Sequence, residues 1–325
     1  MLRSINDIKN KRVLYVATKN ADYLRLTQEL RILRSNGNKV TEIVSPSKSY
    51  PKRLLYVYKK LLGTKTDDFD VIFVGFAPQL VLPLFPRKLK KKPLVIDFFI
   101  SMYDTLCFDR RKFKPHSLIG RLIKRIDTKT IRKADLCICD TNAHGMYFCE
   151  EFGYPQEKMS TLYLEADTSI YYPREKQGSN DRFTVLYFGS VLPLQGVDVI
   201  LDAIGRLENE KDLHFIFVGP LGDHVRKGEK ITEYINWLPQ DKLAEKIAQA
   251  DLCLGGHFND SIMKAKRTIA GKTYIYRAMK KPMILGENAA NHELFSSGDK
   301  DVYFVKMGDS AALAELILKI RDSKK

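Results

Sequence analysis

The sequence predicts an α/β protein built from two doubly wound, Rossmann-like domains facing each other across a cleft. Three observations predict it. Apolar runs of strand length alternate with helix-period stretches along the whole chain, the pattern of a parallel sheet with helices on both faces. A polar, proline-containing stretch over residues 168–181 interrupts the alternation once, after which it begins again. The first apolar run of the second half, Phe183–Phe188, breaks at Gly189-Ser190, passes through Gln195-Gly196 and enters an amphipathic stretch at Val197. A strand that turns through glycine into a helix aims backbone N–H groups and the positive end of a helix dipole at any anion placed there.

In the first half the strand candidates are residues 12–17, 40–44, 71–76, 94–99 and 135–139, with helices between them at 23–35 and 118–132. In the second half strands are expected at 183–188, 214–218, 251–254, 283–285 and 302–305, and helices at 197–208, 241–250, 274–280 and 311–320. Domains of residues 1–172 and 173–325 follow, with the boundary near 170–182. Ligands of such sheets bind beyond the carboxyl ends of the strands.

The 325 residues suffice for two cores. No segment approaches the roughly 20 unbroken apolar residues of a membrane helix; the longest candidate, 71–85, is cut by Pro78, Gln79 and Pro83. Met1-Leu2-Arg3-Ser4 leads into polar residues rather than a signal-peptide core, which predicts an intracellular protein. Five cysteines argue against a disulfide framework, and Cys137 and Cys139 share one face of a buried strand as structural thiols. Six scattered histidines without HExxH give no metal site.

The net charge of +15 is concentrated. Residues 1–175 hold 32 Lys and Arg against 19 Asp and Glu, residues 176–325 only 22 against 20. Residues 52–62 place Leu54, Leu55, Tyr58, Leu61 and Leu62 on one helical stripe flanked by Lys52, Arg53, Lys59 and Lys60, a pattern that can lie on an anionic membrane surface. The run at 87–92 adds Lys90, Lys91 and Lys92, and the helix at 118–132 adds Arg121, Lys124, Arg125 and Lys129. Taken together these favour an anionic partner for the first domain. Nucleic acid is the competing one, but no recognised nucleic-acid motif is present.

The residues placed for chemistry fall into two groups. Gly189, Ser190, Gln195 and Gly196 frame the glycine turn, and Gly219 ends the next strand. Lys264, Lys266, Arg267 and Lys272 follow the 251–254 strand through Gly255-Gly256, so they enter at a carboxyl edge where they can reach the same phosphates. In the first half Asp97 follows an apolar strand, which predicts that it faces the cleft and can orient or deprotonate a hydroxyl; Asp104 lies in the loop beyond it. Core packing is the expectation for the single tryptophan, Trp237.

Quoted in order, Gln195-Gly196-Val197-Asp198, Phe217-Val218-Gly219, Trp237-Leu238-Pro239, Ala250-Asp251-Leu252 and Lys281-Pro282-Met283-Ile284, with residues 97–110 and the strand ending Asp140-Thr141, make the chain resemble the nucleotide-sugar glycosyltransferases of the GT-B fold, in particular family 4 ("group 1"). The resemblance covers most of the chain. It implies a donor site in the second domain, with Trp237 and Leu238 in the region that holds the nucleobase, and an acceptor site in the first. It implies a nucleoside-diphosphate sugar as donor substrate, no metal or other cofactor, and a saccharide or lipid-linked acceptor in cell-surface polysaccharide or glycoconjugate synthesis at the cytoplasmic face of the membrane. Members of that family usually carry a basic residue after the first glycine, a lysine before the second, and two glutamates; here Ser190, Gln195, Arg267 and Ile275 stand there. The anion contacts are therefore expected to shift toward Lys264, Lys266, Arg267 and Lys272. A non-catalytic subunit of a partner transferase and a basic nucleic-acid-binding protein are the alternative readings.

Overall fold

Short runs rich in Val, Ile, Leu and aromatic residues form the strands of the first sheet: β1 (Arg12–Val16), β2 (Lys39–Ile43), β3 (Val71–Val74), β4 (Leu94–Asp97), β5 (Leu136–Cys139) and β6 (Met159–Thr161). All neighbours are parallel, in the order β2-β1-β3-β4-β5-β6. Each crossover carries the chain over a face of the sheet, so strands between helices read as continuous apolar runs. In this computed structural model the described residues are 2–176 and 181–324.

Helix α1 (Leu24–Ser35) covers one face of the sheet, packing Leu26, Leu30 and Leu33 against Val13, Tyr15 and Phe73. The opposite face is covered by α2 (Tyr50–Gly63), the short α3 (Pro86–Leu89), α4 (Leu118–Ile131) and α5 (Asn142–Phe152), whose Val57, Leu61, Leu89, Ile123, Ile131, Phe148 and Phe152 meet Leu14, Ile72 and Ile96. Cys137 and Cys139 lie buried on that same face as free thiols.

The amphipathic stripe expected at 52–62 is divided in α2. Arg53, Val57 and Leu61 form the inward line, while Leu55 and Leu62 point to solvent. Arg53 is therefore not a surface cation. Its guanidinium is buried and donates to the carbonyls of Thr18, Ser47 and Lys48, which pins the loop before the helix.

The second sheet contains β7 (Phe183–Phe188), β8 (Leu213–Val218), β9 (Thr232–Ile235), β10 (Leu252–Leu254), β11 (Met283–Gly286) and β12 (Val302–Val305), again all parallel, in the order β12-β11-β10-β7-β8-β9. Helices α6 (Val197–Arg206) and α9 (Ser310–Asp322) pack on one face; α7 (Gln240–Gln249) and α8 (Gly271–Ala278) pack on the other. Contacts divide the chain into two units, Met1–Glu165 and Ala166–Lys325. Tyr171, within the interrupting stretch at 168–181, packs into the core of the second unit; residues 177–180 of that stretch lie outside the described residues. Among the described residues no helix is long and apolar enough to cross a membrane.

Candidate functional site

The second sheet winds from β7 outward to β8 and β9, then restarts at β10 on the other side. The direction of winding, though not of the strands, reverses between β7 and β10, which is where such sheets open a crevice beyond the carboxyl ends of their strands. Gly189 follows β7 there, and Gly255-Gly256 follows β10.

Between them lies Lys272, on the first turn of α8 and only 5% exposed. Its ammonium donates to Gln195 Oε1 and sits 4.4 Å from the centroid of the Tyr187 ring. A Cβ built on Gly189 would come within 3.1 Å of Nζ, and one on Gly256 within 3.9 Å. Burial pushes the Lys272 pKa down to about 7. Among the described residues no carboxylate pairs with it, so a desolvated cation is answered only by an amide oxygen and a ring face.

The turn that supplies Gln195 is fixed from behind. The Phe258 N–H donates to the Gln195 carbonyl at 3.2 Å, and Asn259 Nδ2 to the Pro193 carbonyl at 2.8 Å. Gly196 has φ 68°, and a Cβ there would lie 2.6 Å from Asn259 N and Phe258 C, so only glycine makes this entry into α6. The N–H groups of the first turn of α6 have no acceptor within the helix. Gly219 follows β8 and runs so close to Gly189 that a Cβ would stand 2.2 Å from the Gly189 carbonyl oxygen. Ser190 is exposed beside Gly189.

The basic run lies next to this turn. Residues Met263–Lys266 form a tight helical turn whose Ala265 packs with Leu194, Ile262 and Met307, directly against Pro193–Gln195. Lys264, Lys266 and Arg267 are half-buried there. Ile275 packs against the core between α7 and α8.

Trp237 departs from expectation: it is 75% exposed beyond the carboxyl end of β9 rather than packed in the core. It is on the same sheet edge as Gly189 but two strands away, and it does not join the Lys272 cluster. Leu238 packs on the core beside α7.

Two six-stranded parallel units of this topology have counterparts among solved structures. The HepE protein of Anabaena, crystallised with UDP, is 15% identical, with a TM-score of 0.62 over 97% of this chain and 91% of its own. A sucrose-phosphate synthase from Thermosynechococcus elongatus is 10% identical, with a TM-score of 0.68 over 96% and 90%. A UDP-forming α,α-trehalose-phosphate synthase from Burkholderia xenovorans is 12% identical, with a TM-score of 0.61 over 95% and 91%. The fold is GT-B. No family model matches the sequence, and no curated protein matches it.

In the first unit of this GT-B chain, Asp97 does end β4 at the carboxyl edge, but it does not face outward. It is completely buried, and Arg25 grips both oxygens, Nη2 to Oδ1 at 3.0 Å and Nε to Oδ2 at 3.1 Å. Arg25 also reaches Glu29 at 3.4 Å and donates to the carbonyls of Cys139 and Leu162. Glu29 in turn accepts the Tyr15 hydroxyl at 2.5 Å, and burial together with the Asp97 charge pushes its carboxyl well above the usual range. This cluster ties α1 to β4, β5 and the segment after β6.

Asp104 is buried in a wide helical turn, its N–H donating to Ser101 Oγ at 2.9 Å. Its Oδ2 lies 3.9 Å from Nε2 of His144, whose Nδ1 is 2.7 Å from Asp140 Oδ1. Sequence reasoning overlooked this array. Asp140 directly follows β5, close to where Asp97 ends β4, and Thr141 caps α5 by accepting the His144 N–H at 3.1 Å. The His144 ring is fully buried, whereas the Asp140 side chain keeps 20% exposure. Burial alone would raise the Asp140 pKa; the charge and hydrogen bond of His144, then the charge of Arg25, more than offset this and hold it below the usual range.

Lys52, Lys59 and Lys60 are exposed on α2. Lys90 and Lys91 instead lie just before β4, at the amino edge of the sheet, Lys90 within 3.8 Å of Asp135 and Lys91 3.3 Å from Asp67, and Lys92 is half-buried beside them. They do not join the carboxyl-edge residues.

Proposed function

We propose that the chain is a glycosyltransferase that moves a hexose-type sugar from a nucleoside diphosphate to a saccharide or lipid-linked acceptor. The observation that carries this reading is the buried, uncompensated cation of Lys272 at the β7/β10 switch point, facing a glycine turn that opens a helix. A diphosphate would complete that charge arrangement, accepting from Lys272 and the first-turn amides of α6, with Lys264, Lys266 and Arg267 alongside. Structures of HepE with UDP and with UDP-glucose support the choice of donor class.

In the transfer, the acceptor oxygen bonds to the anomeric carbon as the bond from that carbon to the diphosphate oxygen breaks. The electron pair leaves with the diphosphate, and the acceptor proton passes to a base. Among the carboxylates at the carboxyl edge of the first sheet, Asp140 suits the acceptor side, because it is ionised, partly exposed and oriented by His144. Asp97 is committed to Arg25 and holds the fold around it. The first unit, with most of the positive charge, would take its acceptor at the anionic inner face of a membrane.

A second reading, a non-catalytic GT-B subunit of a partner transferase, is favoured by Arg267 and Ile275, neither of which can accept from a donor hydroxyl as a carboxylate does. Thermal shift against UDP, GDP, dTDP and CMP, followed by donor hydrolysis, separates the two. Stabilisation with turnover supports the transferase, stabilisation without turnover the subunit, and no stabilisation by any nucleotide removes the transferase.

A further inference from the structure

We infer that the outer surface of the α2, α3 and α4 layer is a docking face for an anionic lipid bilayer, with leucines that enter the interface between its basic side chains. The three helices cover the same face of the first sheet, so their outward sides form one surface. It is continuous: Lys88 Nζ of α3 donates to the Leu62 carbonyl at the end of α2, and Pro83 shares a groove of about 310 Å³ with Leu122 and Ile126 of α4.

Leu62 is 70% exposed, Leu55 69% and Leu118 85%, and Leu84, Ile119 and Leu122 are exposed on the same layer. Spacing groups them by helix side. Leu55 and Leu62 share an α2 line with Lys52 and Lys59; Leu118 and Leu122 share an α4 line with Arg121, Arg125 and Lys129. Exposed leucines grouped in this way mark an interaction surface rather than ordinary scatter.

The charge identifies the occupant. Neither α2 nor α3 contains an acidic residue, and the one acidic residue of α4, Asp127, is buried. Among the described residues no carboxylate pairs with Lys52, Lys59, Lys60, Arg87, Arg121, Arg125 or Lys129. A protein partner would be expected to meet the leucines with a complementary shape, whereas a bilayer asks only for apolar tips within a field of positive charge. Each basic residue near an anionic surface raises partitioning roughly fivefold.

The inference deepens the acceptor half of the proposed function and rests on that reading only there. Co-sedimentation of the full chain with vesicles of equal parts phosphatidylglycerol and phosphatidylcholine, at about 0.1 M salt, should exceed that with phosphatidylcholine alone by about tenfold or more. Lys59→Glu with Arg121→Glu should reduce the anionic partitioning by roughly 25-fold or more. Leu62→Ser with Leu118→Ser should also reduce it and leave the melting temperature unchanged. Equal binding to both vesicles, or wild-type binding by either double variant, would overturn the docking face. So would displacement from vesicles by single-stranded RNA whose binding survives the leucine substitutions. Vesicle binding without any nucleotide-induced stabilisation would remove the transferase reading and leave the docking face standing.

Discussion

Lys272 Nζ lies 4.4 Å from the centroid of the Tyr187 ring, with Gln195 Oε1 as its hydrogen-bond acceptor. Neither partner carries a charge. An ammonium removed from water in this way is held at an energetic cost, offset in part by the ring face and the amide dipole. A diphosphate bound there, as proposed, would turn that cost into attraction.

Replacing the cation with an apolar residue of similar length should therefore separate stability from binding. Lys272→Met is expected to stabilise the unliganded protein at pH 7 by roughly 2–4 kcal/mol. The same variant should bind the preferred nucleoside diphosphate about 10- to 100-fold more weakly. Denaturant titration and calorimetry check the two halves; unchanged affinity would remove Lys272 from the site.

The pH dependence follows from the same group. Lys272 has a folded pKa of about 7, below the roughly 10.4 of an unfolded lysine. Between these values the unfolded chain binds more protons than the folded one, so this contribution makes stability rise with pH from about 7 to 10. A bound diphosphate draws the proton back, so nucleotide affinity should fall as pH rises above about 7. Melting temperature and affinity measured from pH 6 to 9 should show these opposite slopes, and Lys272→Met should flatten both.

Arg25 and Asp97 form a fully buried bidentate pair. Arg25→Met leaves Asp97 buried without its partner and should cost about 3–5 kcal/mol. Adding Asp97→Asn should recover part of that loss, as a double-mutant cycle in chemical denaturation would show. Purely additive losses would mean that the pair is not the unit of stability.

The two strand-end aspartates should differ in transfer assays. Asp140→Asn is expected to lower transfer about 100-fold or more with nucleotide binding intact. Asp97→Asn should act mainly through a lowered melting temperature. His144→Gln should lower transfer less and move the acid limb of its pH profile, a change that simple loss of packing would not produce. Equal transfer by wild type and Asp140→Asn would exclude Asp140 as the base.

Much of the fold was legible because its strands are buried on both faces. Phe183–Phe188 and Val302–Val305 coincide with the expected spans, and most others shift by one or two residues. Edge strand β6, Met159–Thr161, gave no apolar run because it is short and only half-buried. Helix α5 escaped because its residues, among them Gly145 and several aromatics, are weak helix formers; the Thr141 cap and the left-handed Gly153 hold it instead. Lys272 was readable from its distance beyond the β10 glycines. The role of Asp97 was not, since its partner Arg25 lies 72 residues earlier and only the folded sheet joins them. Residue type favours the core for Trp237 and the family resemblance a place near a nucleobase; β9 is an edge strand whose end leaves it in solvent.

Neither sheet borrows a strand from the other: β1 to β6 and β7 to β12 are each drawn from one unbroken half of the chain. On a ribosome, the amino-terminal half can therefore close its sheet before the carboxyl-terminal half has been made. The basic surface would then exist while the second half is still being synthesised, so the proposed docking face could meet a bilayer before the proposed donor site is complete.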